Sequence, residues 1–574
     1  MPVTNTDIEK ALYELADILE IKGKNSFRVR AYRQAAQTVG SHSRSIKKMI
    51  QNGEDIKKLS GIGEDLKDQI EEMVETGRLK KLEKNRSKKS DEQVRMMSIP
   101  TLGPKKIKKL ERSLGIKSID ALKKAAKEGR IQTLEGFGKK SEKSILKEIS
   151  RLEKRSKRRL RFSVLESVHN LLNYLGELDS LKKIEVAGSF RRCKETVGDI
   201  DILVATDAPK RVGKYFLKYE DIEDVIKEGK KRLGVILKDG LQVDLRIVPP
   251  DSYGAALLYF TGSKPHNIAL RDIAIQKGYK LNEYGLFKND KKIASKKEED
   301  IYKALELDFI PPELRESRGE IEAAKNGHLP ELVKRDDIKG DLHIHTKYSD
   351  GNYTIEEMAN RAIKLGYRYI AITDHSKKVA VANGMDEEEL KKHIERINEA
   401  DKKIKDIKIL SGVEVDILKN GLLDLDDWIL ERVDVVVASV HFNMNLSRKK
   451  QTQRLIKAIK NPKVHILGHP SNRMIQERGP IEADWERIFE VCRDEGVALE
   501  LNSSPKRLDI DDIYAKKAKE MGVHICLNTD SHTTDSLEFV DYGIDEARRG
   551  WLEKSDIINT KNLKELKKFL GHNG

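Results

Sequence analysis

The chain has few aromatic residues, 5% of its 574 positions, and only three cysteines. Cys193, Cys492 and Cys526 lie far apart and share no ligand spacing, which excludes a disulfide framework and a cysteine-based zinc site. That usage fits a reducing compartment, and a cytoplasmic location is expected. No apolar run reaches the length of a membrane span, and Met1-Pro2-Val3-Thr4 opens no signal-peptide pattern. Charge is what the sequence has in quantity. Lys, Arg, Asp and Glu make up 36% of it, with a net charge of +15 despite 95 acidic residues. Such an excess favours an anionic polymer as partner. The mixture of both signs also fits a Lys/Glu-rich thermophilic surface. The length suggests roughly three to five domains.

Residues 6–39 read as two amphipathic helices. Ile8, Leu12, Leu15, Ile18 and Leu19 mark the apolar face of the first. One pattern then recurs at Leu59-Ser60-Gly61-Ile62-Gly63, Ile99-Pro100-Thr101-Leu102-Gly103 and Leu134-Glu135-Gly136-Phe137-Gly138. Each copy precedes a helix start bearing Lys67, Lys105-Lys106 or Lys139-Lys140. An apolar residue, a tight glycine turn and a lysine-bearing helix describe a helix-hairpin-helix. The glycines let backbone approach a phosphate, and the helix N-terminus offers free N–H groups. Gly61, Gly63, Lys67, Gly103, Lys105, Gly136, Gly138 and Lys139 are the candidate DNA contacts. The basic run Lys154, Arg155, Lys157, Arg158, Arg159 and Arg161 is a further contact or a solvated linker. Hairpins that merely pack, as in a helical adaptor, are the other reading.

A different pattern begins after Phe162. A helix over 163–175 and a short strand over 184–187 deliver a Gly188-Ser189 turn. In Gly198-Asp199-Ile200-Asp201-Ile202-Leu203-Val204 the alternation predicts a strand with both carboxylates on one face. A pair of adjacent carboxylates suits a hard cation such as Mg²⁺. A second strand over 240–248 places Asp244 at its middle, and three carboxylates on adjacent strands suit two metal ions about 4 Å apart. Tyr259-Phe260-Thr261-Gly262-Ser263-Lys264-Pro265-His266-Asn267 and Leu281-Asn282-Glu283-Tyr284-Gly285 follow.

With these motifs the chain resembles, over essentially its whole length, the bacterial and archaeal family X DNA polymerases that carry a C-terminal polymerase-and-histidinol-phosphatase (PHP) domain. The resemblance implies that Asp199, Asp201 and Asp244 hold two Mg²⁺ or Mn²⁺. It implies that Gly188, Ser189, Arg192 and Gly198 contact the dNTP triphosphate, that Tyr259, Phe260 and Gly262 frame its sugar, and that Asn267 reaches its base. Arg271 contacts the template, and Arg246 is a further DNA contact. A monovalent cation in the hairpins is also implied. Two positions depart from relatives. Gln69 occupies the place of a Schiff-base lysine, which argues against lyase activity, since Lys67 lies on another helix face. Gln242 stands where some relatives have arginine.

Beyond a linker with a short helix (318–339), which permits movement, apolar strands end in metal-type residues and alternate with helices. Strands are expected at 341–346, 369–373, 408–415, 433–440, 464–468, 498–502 and 524–528. That rhythm argues for a (β/α)₇ barrel with function at the C-terminal strand ends. His343, His345, Asp350, His375, Glu414, His441, His469, Asp530 and His532 sit there, enough for three metals of the Mn, Zn or Fe type. Asp374 is expected to orient a ligand; His393, His465 and His524 are not counted. These motifs match the PHP pattern, which implies a phosphoesterase acting as 3′→5′ exonuclease, apurinic-site endonuclease and 3′-end cleaner.

The expected architecture is multidomain. It comprises an all-α helix-hairpin-helix domain (1–90), helix-hairpin-helix fingers (91–160), an α/β nucleotidyltransferase palm (161–250), a small α+β thumb (251–317), the linker, and an α/β PHP barrel (340–574). The expected function is template-directed filling of short gaps in base-excision-type repair. Gapped or nicked duplex and dNTPs are the partners, no membrane is involved, and a monomer is expected. The alternatives are a template-independent nucleotidyltransferase with a small-molecule phosphoesterase, or a non-catalytic DNA-end scaffold.

Overall fold

The computed structural model describes residues 5–571 except 23–24, 42–45, 60, 87–91, 93–95, 98, 100–101, 156–157 and 380–381. Ser60, Pro100, Thr101 and Lys157, named above, therefore lie outside the described residues, as do Met1 to Thr4. So do the side chains of Lys105, Lys154 and Arg155.

Helices α1 (Asn5–Ile21) and α2 (Ser26–Ser41) pack together. The stripe Ile8, Leu12, Leu15, Ile18 and Leu19 is buried against Ala35, Ala36 and Val39. The glycine turns each lead into a helix: α3 (Glu64–Thr76), α4 (Pro104–Leu114) and α5 (Lys139–Arg155). Gly63 and Gly103 are the N-caps of α3 and α4. Gly61 and Gly136 have φ of 75° and 84°, the left-handed region in which a side chain is strained. The first hairpin has its own core with α1 and α2, and the second and third share another.

Helix α6 (Arg161–Gly176) covers a five-stranded sheet of β1 (Lys183–Val186), β2 (Ile200–Ala205), β3 (Ile222–Lys227), β4 (Arg232–Leu237) and β5 (Gln242–Val248). The order is β1-β2-β5-β4-β3, with β2 and β5 parallel. Three local expectations change. Gly188-Ser189 is a one-turn helix, α7 (Gly188–Arg191), and not an open turn. Asp199 lies in a bend before β2, so only Asp201 belongs to the strand. The strand over 240–248 is shorter, because Gly240 (φ 81°) makes the preceding turn.

Helices α8 (Tyr253–Thr261) and α9 (Lys264–Gln276) lead to a three-stranded antiparallel sheet, β6 (Lys280–Asn282), β7 (Gly285–Lys288) and β8 (Lys291–Ala294). The segment 318–339, which the sequence marks as a linker, is anchored to the thumb. Glu320 is buried, and its carboxylate lies 2.8 Å from His266 Nδ1.

Seven parallel strands follow in sequential order: β9 (Gly340–Ile344), β10 (Tyr369–Ile372), β11 (Lys408–Asp416), β12 (Val435–Ser439), β13 (Ile466–Leu467), β14 (Ala498–Asn502) and β15 (Ile525–Asn528). Ser531, just past β15, bridges Ile344, and His345 N–H donates to Ser531 O at 2.8 Å, so the barrel is nearly closed. β12 and β13 are three residues shorter than their apolar runs, with Val440 and Val464 buried in loops, whereas β14 matches its run and β11 exceeds it by one.

The barrel docks on the palm and thumb. Phe162 packs edge-on against Phe539 and Tyr542, Arg161 pairs with Asp545, and Arg473 meets Glu195 at 2.9 Å. The first hairpin domain touches the barrel rim through Lys506 with Glu9, and through Gln34 Nε2 donating to Asn352 Oδ1 at 3.3 Å.

Candidate active sites

Parallel pairing of β2 with β5 sets Asp201 directly opposite Asp244. Asp199 stands exposed two residues earlier. Asp244 is buried, and its Oδ2 accepts from Arg232 Nη2 at 2.8 Å and Arg246 Nη2 at 3.3 Å. Arg246 Nη2 also lies 3.6 Å from Asp201 Oδ1, so this arginine bridges the two carboxylates. Burial pushes the Asp201 carboxyl up to about 6; the neighbouring Asp199 charge adds to this and Arg246 opposes it. Two glycines leave room for these groups. A Cβ on Gly188 (φ 62°) would come within 3.0 Å of Asp201 Oδ2, and one on Gly234 within 2.8 Å of Asp244 Oδ1.

Around the triad, Arg192 is held by Glu316 at 3.0 Å and by the carbonyl of Thr261. Ser189 is half-buried in α7, and Gly198 forms the bend before Asp199. Tyr259 is exposed at the end of α8, with Phe260 edge-on beside it. A Cβ on Gly262 (φ 71°) would lie 3.2 Å from Arg192 Nη1. Asn267 Nδ2 donates to Tyr259 O at 2.7 Å, and exposed Arg271 donates to Asn267 O at 3.3 Å. In the hairpins, Lys67 lies 3.9 Å from both Glu64 and Glu71, so its charge is shared within α3. Gln69 accepts from Tyr32 Oη at 2.9 Å. Gly136, Gly138 and Lys139 are exposed.

In the barrel, the candidate ligands converge at the C-terminal face. His345, Asp350, His375 and His532 form one group, His343, His345 and Asp530 a second, and His375, Glu414 and His441 a third. His469 falls outside these groups, but its Nε2 is 3.0 Å from Glu414 Oε1. Glu414, which lies within β11 and not at its end, ties the groups together. Its carboxylate is 2.8 Å from His375 and 3.5 Å from both His343 and His345. The donor set fits divalent metal. His343 Nε2, both nitrogens of His345, His375 Nδ1 and Glu414 Oε2 are buried without a hydrogen-bond partner among the described residues. Charges oppose burial here. Burial would raise the carboxyls of Asp350, Glu414 and Asp530, yet surrounding imidazoles hold them well below the usual range. Burial would lower His532, yet Asp350 drives it up to about 9; His345, buried beside His532 and His375, falls to about 4. Cations would take over the role of those protons.

Comparisons with known proteins match the chain domain by domain and as a whole. Residues 3–79 match a helix-hairpin-helix domain, 94–151 a SAM-like helix-hairpin-helix tandem, 256–316 the DNA polymerase beta thumb, and 341–504 the PHP domain. The chain is 38% identical over 571 residues to the DNA polymerase/3'-5' exonuclease PolX of Bacillus subtilis, covering 99% of each. The chain belongs to family X of the DNA polymerases. Its barrel alone is 33% identical over 248 residues to a probable phosphatase of Thermoanaerobacter sp., covering 40% of this chain and 96% of that one. A probable phosphatase of Caldanaerobacter subterraneus is 35% identical over 241 residues, covering 40% and 90%.

Four residues of this family X chain escaped the sequence reading. Glu500, fully buried in β14, sits 2.7 Å from His343 Nδ1 and accepts from His469 N–H at 2.6 Å. Asp416 Oδ1 is 3.1 Å from His441 Nδ1. Such carboxylates fix the ring orientation of a ligating imidazole. Both had a signal, an acid at alternating positions inside an apolar run, in Ala498-Leu499-Glu500-Leu501 and Val413-Glu414-Val415-Asp416. Arg507 lies 3.9 Å from Asp530, and Arg232 binds Asp244 from the adjacent strand. Only strand pairing reveals these two. Arg232 and Arg246 supply the guanidinium groups that Gln242 cannot. Asp374 is placed to position the ligand-bearing loop after β9. It accepts from Thr346 N–H at 2.7 Å and Ser349 Oγ at 2.5 Å and faces His393 at 2.8 Å, so it braces the loop that carries Asp350.

Proposed function

We propose that the palm extends a DNA 3′ end by nucleotidyl transfer and that the barrel hydrolyses phosphoesters at such an end. Gaps or nicks in repair of duplex DNA are the substrate, in the cytoplasm. The observation that carries this reading is the pairing of Asp201 with Asp244, in a chain matched end to end by a polymerase/exonuclease. Two Mg²⁺ or Mn²⁺ held by Asp199, Asp201 and Asp244 would neutralise charge on the attacking and leaving oxygens. The 3′-oxygen forms a bond to the α-phosphorus as the bond to pyrophosphate breaks; the hydroxyl proton leaves to base or water. Gly188, Ser189, Arg192 and Gly198 seat the triphosphate. Tyr259, Phe260 and Gly262 border the sugar, Asn267 faces the base, and Arg271 takes the template. Arg246 orients Asp244 and Asp201. The hairpin glycines and Lys105 and Lys139 hold backbone phosphates. Gln69 supplies no amine, so no lyase step is included.

In the barrel, three divalent ions of the Mn, Zn or Fe class would bind among His343, His345, Asp350, His375, Glu414, His441, His469, Asp530 and His532. They would supply Lewis acidity and an activated water for attack on phosphorus. Glu500 and Asp416 hold His343 and His441 in place. No helix among the described residues is long and apolar enough to cross a membrane. A gapped duplex ending in 3′-phosphate tests the reading. With Mn²⁺ and dNTPs the end is unblocked and extended. Without dNTPs it is unblocked and then shortened. Extension without prior release of phosphate, or a blocked end left intact under both conditions, overturns it.

A further inference from the structure

The mouth of the barrel is unequal on its two sides. Over β9 and β14 it meets the first hairpin domain, through Asn352 and Lys506. Beside the ends of β10, β11 and β12 lies a cavity of about 650 Å³. That volume lies within the range of small-ligand pockets, roughly 300–1,000 Å³. Its walls are the loops that follow His375, Glu414 and His441, and it is lined by Lys378, Lys419, Lys450 and Lys457 with Phe442. Asp416 forms part of the wall and bonds His441 on its other side, so cavity and candidate metal centre share one carboxylate. Buried Arg454 makes the floor rigid. It donates to the carbonyls of Leu418 and Phe442 at 2.9 Å and to that of Ile417.

Four lysines converge on this cavity. Lys378, Lys419, Lys450 and Lys457 are exposed and have no carboxylate within pairing distance among the described residues. Lys450 and Lys457 lie seven positions apart on the helix Arg448–Ile459, two turns on one face. Four unpaired ammonium groups around a half-apolar cavity suit several phosphates on one strand with a base between them.

We propose that this cavity binds a single strand of DNA running to the barrel's metal-ligand cluster. The strand's 3′ end lies at the cluster, and its backbone phosphates seat on Lys378, Lys419, Lys450 and Lys457, with Phe442 as a stacking face. The proposal rests on the phosphoesterase reading of the barrel and extends it to substrate choice, because polynucleotide is retained where a small ester is not.

The test uses the full chain with Mn²⁺ and the triple variant K419Q/K450Q/K457Q. The control is K402Q/K403Q/K405Q, which removes the same charge near the N-terminal end of β11. Wild-type hydrolysis of p-nitrophenyl phosphate tests the phosphoesterase reading by itself. The cavity variant keeps that rate and its kcat on single-stranded DNA, while its KM for DNA rises at least tenfold. The slope of log KM against log salt falls by about 2, since each lost phosphate contact removes about 0.7. The control moves neither quantity. An unchanged KM and slope in the cavity variant overturns the proposal. So does a variant that loses only inhibition by thymidine monophosphate, which would make the cavity a seat for the released nucleotide.

Discussion

Asp201 is pressed from two directions. Burial raises its carboxyl to about 6, and Asp199 adds a like charge. Its native value lies above the ordinary one, so its contribution to stability is full below about pH 4 and is lost as pH rises through 6. Metal binding runs the other way, because the ligand must lose its proton. The affinity of the palm for Mg²⁺ should therefore fall about tenfold per pH unit below pH 6 and level off above it. Isothermal titration between pH 5 and 8, with an Asp199→Ala/Asp201→Ala variant as the blank for barrel binding, measures this. A flat profile would show that Asp201 is already ionised at pH 5. In the barrel, Glu500→Gln should weaken metal retention by about 10–100-fold through the loosened His343 and leave primer extension unchanged. Metal analysis after dialysis reads the first, and extension on a gapped duplex the second.

Between elements, the strongest link in the palm and thumb is a buried charge cluster. Arg315 is fully buried; it donates to Glu298 at 2.6 Å and to Ile310 O at 2.9 Å, while Arg191 holds the other Glu298 oxygen at 2.7 Å. Arg315→Met removes one of the two guanidinium partners of Glu298 and should cost about 3 kcal/mol, near the low end for a broken buried pair. Thermal melting of this variant beside exposed Arg271→Met should separate them clearly, and equal melting temperatures would contradict the assigned role. Much at this scale was legible in the sequence. The stripe from Ile8 to Leu19, the glycine turns and the barrel strands follow from period and turn chemistry, because each is a local property. The barrel histidines were legible because they end apolar runs. Cross-strand partners were not. Arg232 meets Asp244, and Arg507 approaches Asp530, only after sheet register and loop packing are set. Glu500 and Asp416 had a readable signal, a lone acid inside an apolar run. Gly188-Ser189 coils into α7 because the left-handed Gly188 turns the chain directly above Asp201.

Across the whole molecule, the barrel is tied to the palm and thumb by contacts beyond the linker. Arg549 donates to Arg192 O at 2.7 Å and to Glu316 at 3.2 Å, and Arg548 meets Glu313 at 2.8 Å. The two candidate centres nevertheless share no ligand, since the acidic triad belongs to β2, β5 and the bend before β2, and the imidazole cluster to the barrel. Chemistry at one centre should survive loss of the other. The direct measurement is primer extension and 3′→5′ degradation, side by side on one gapped duplex, with Asp199→Ala and His343→Ala. Asp199→Ala should lose extension and keep degradation, and His343→Ala should lose degradation and keep extension. Loss of both activities in either variant, with melting unchanged from wild type, would contradict two separate centres.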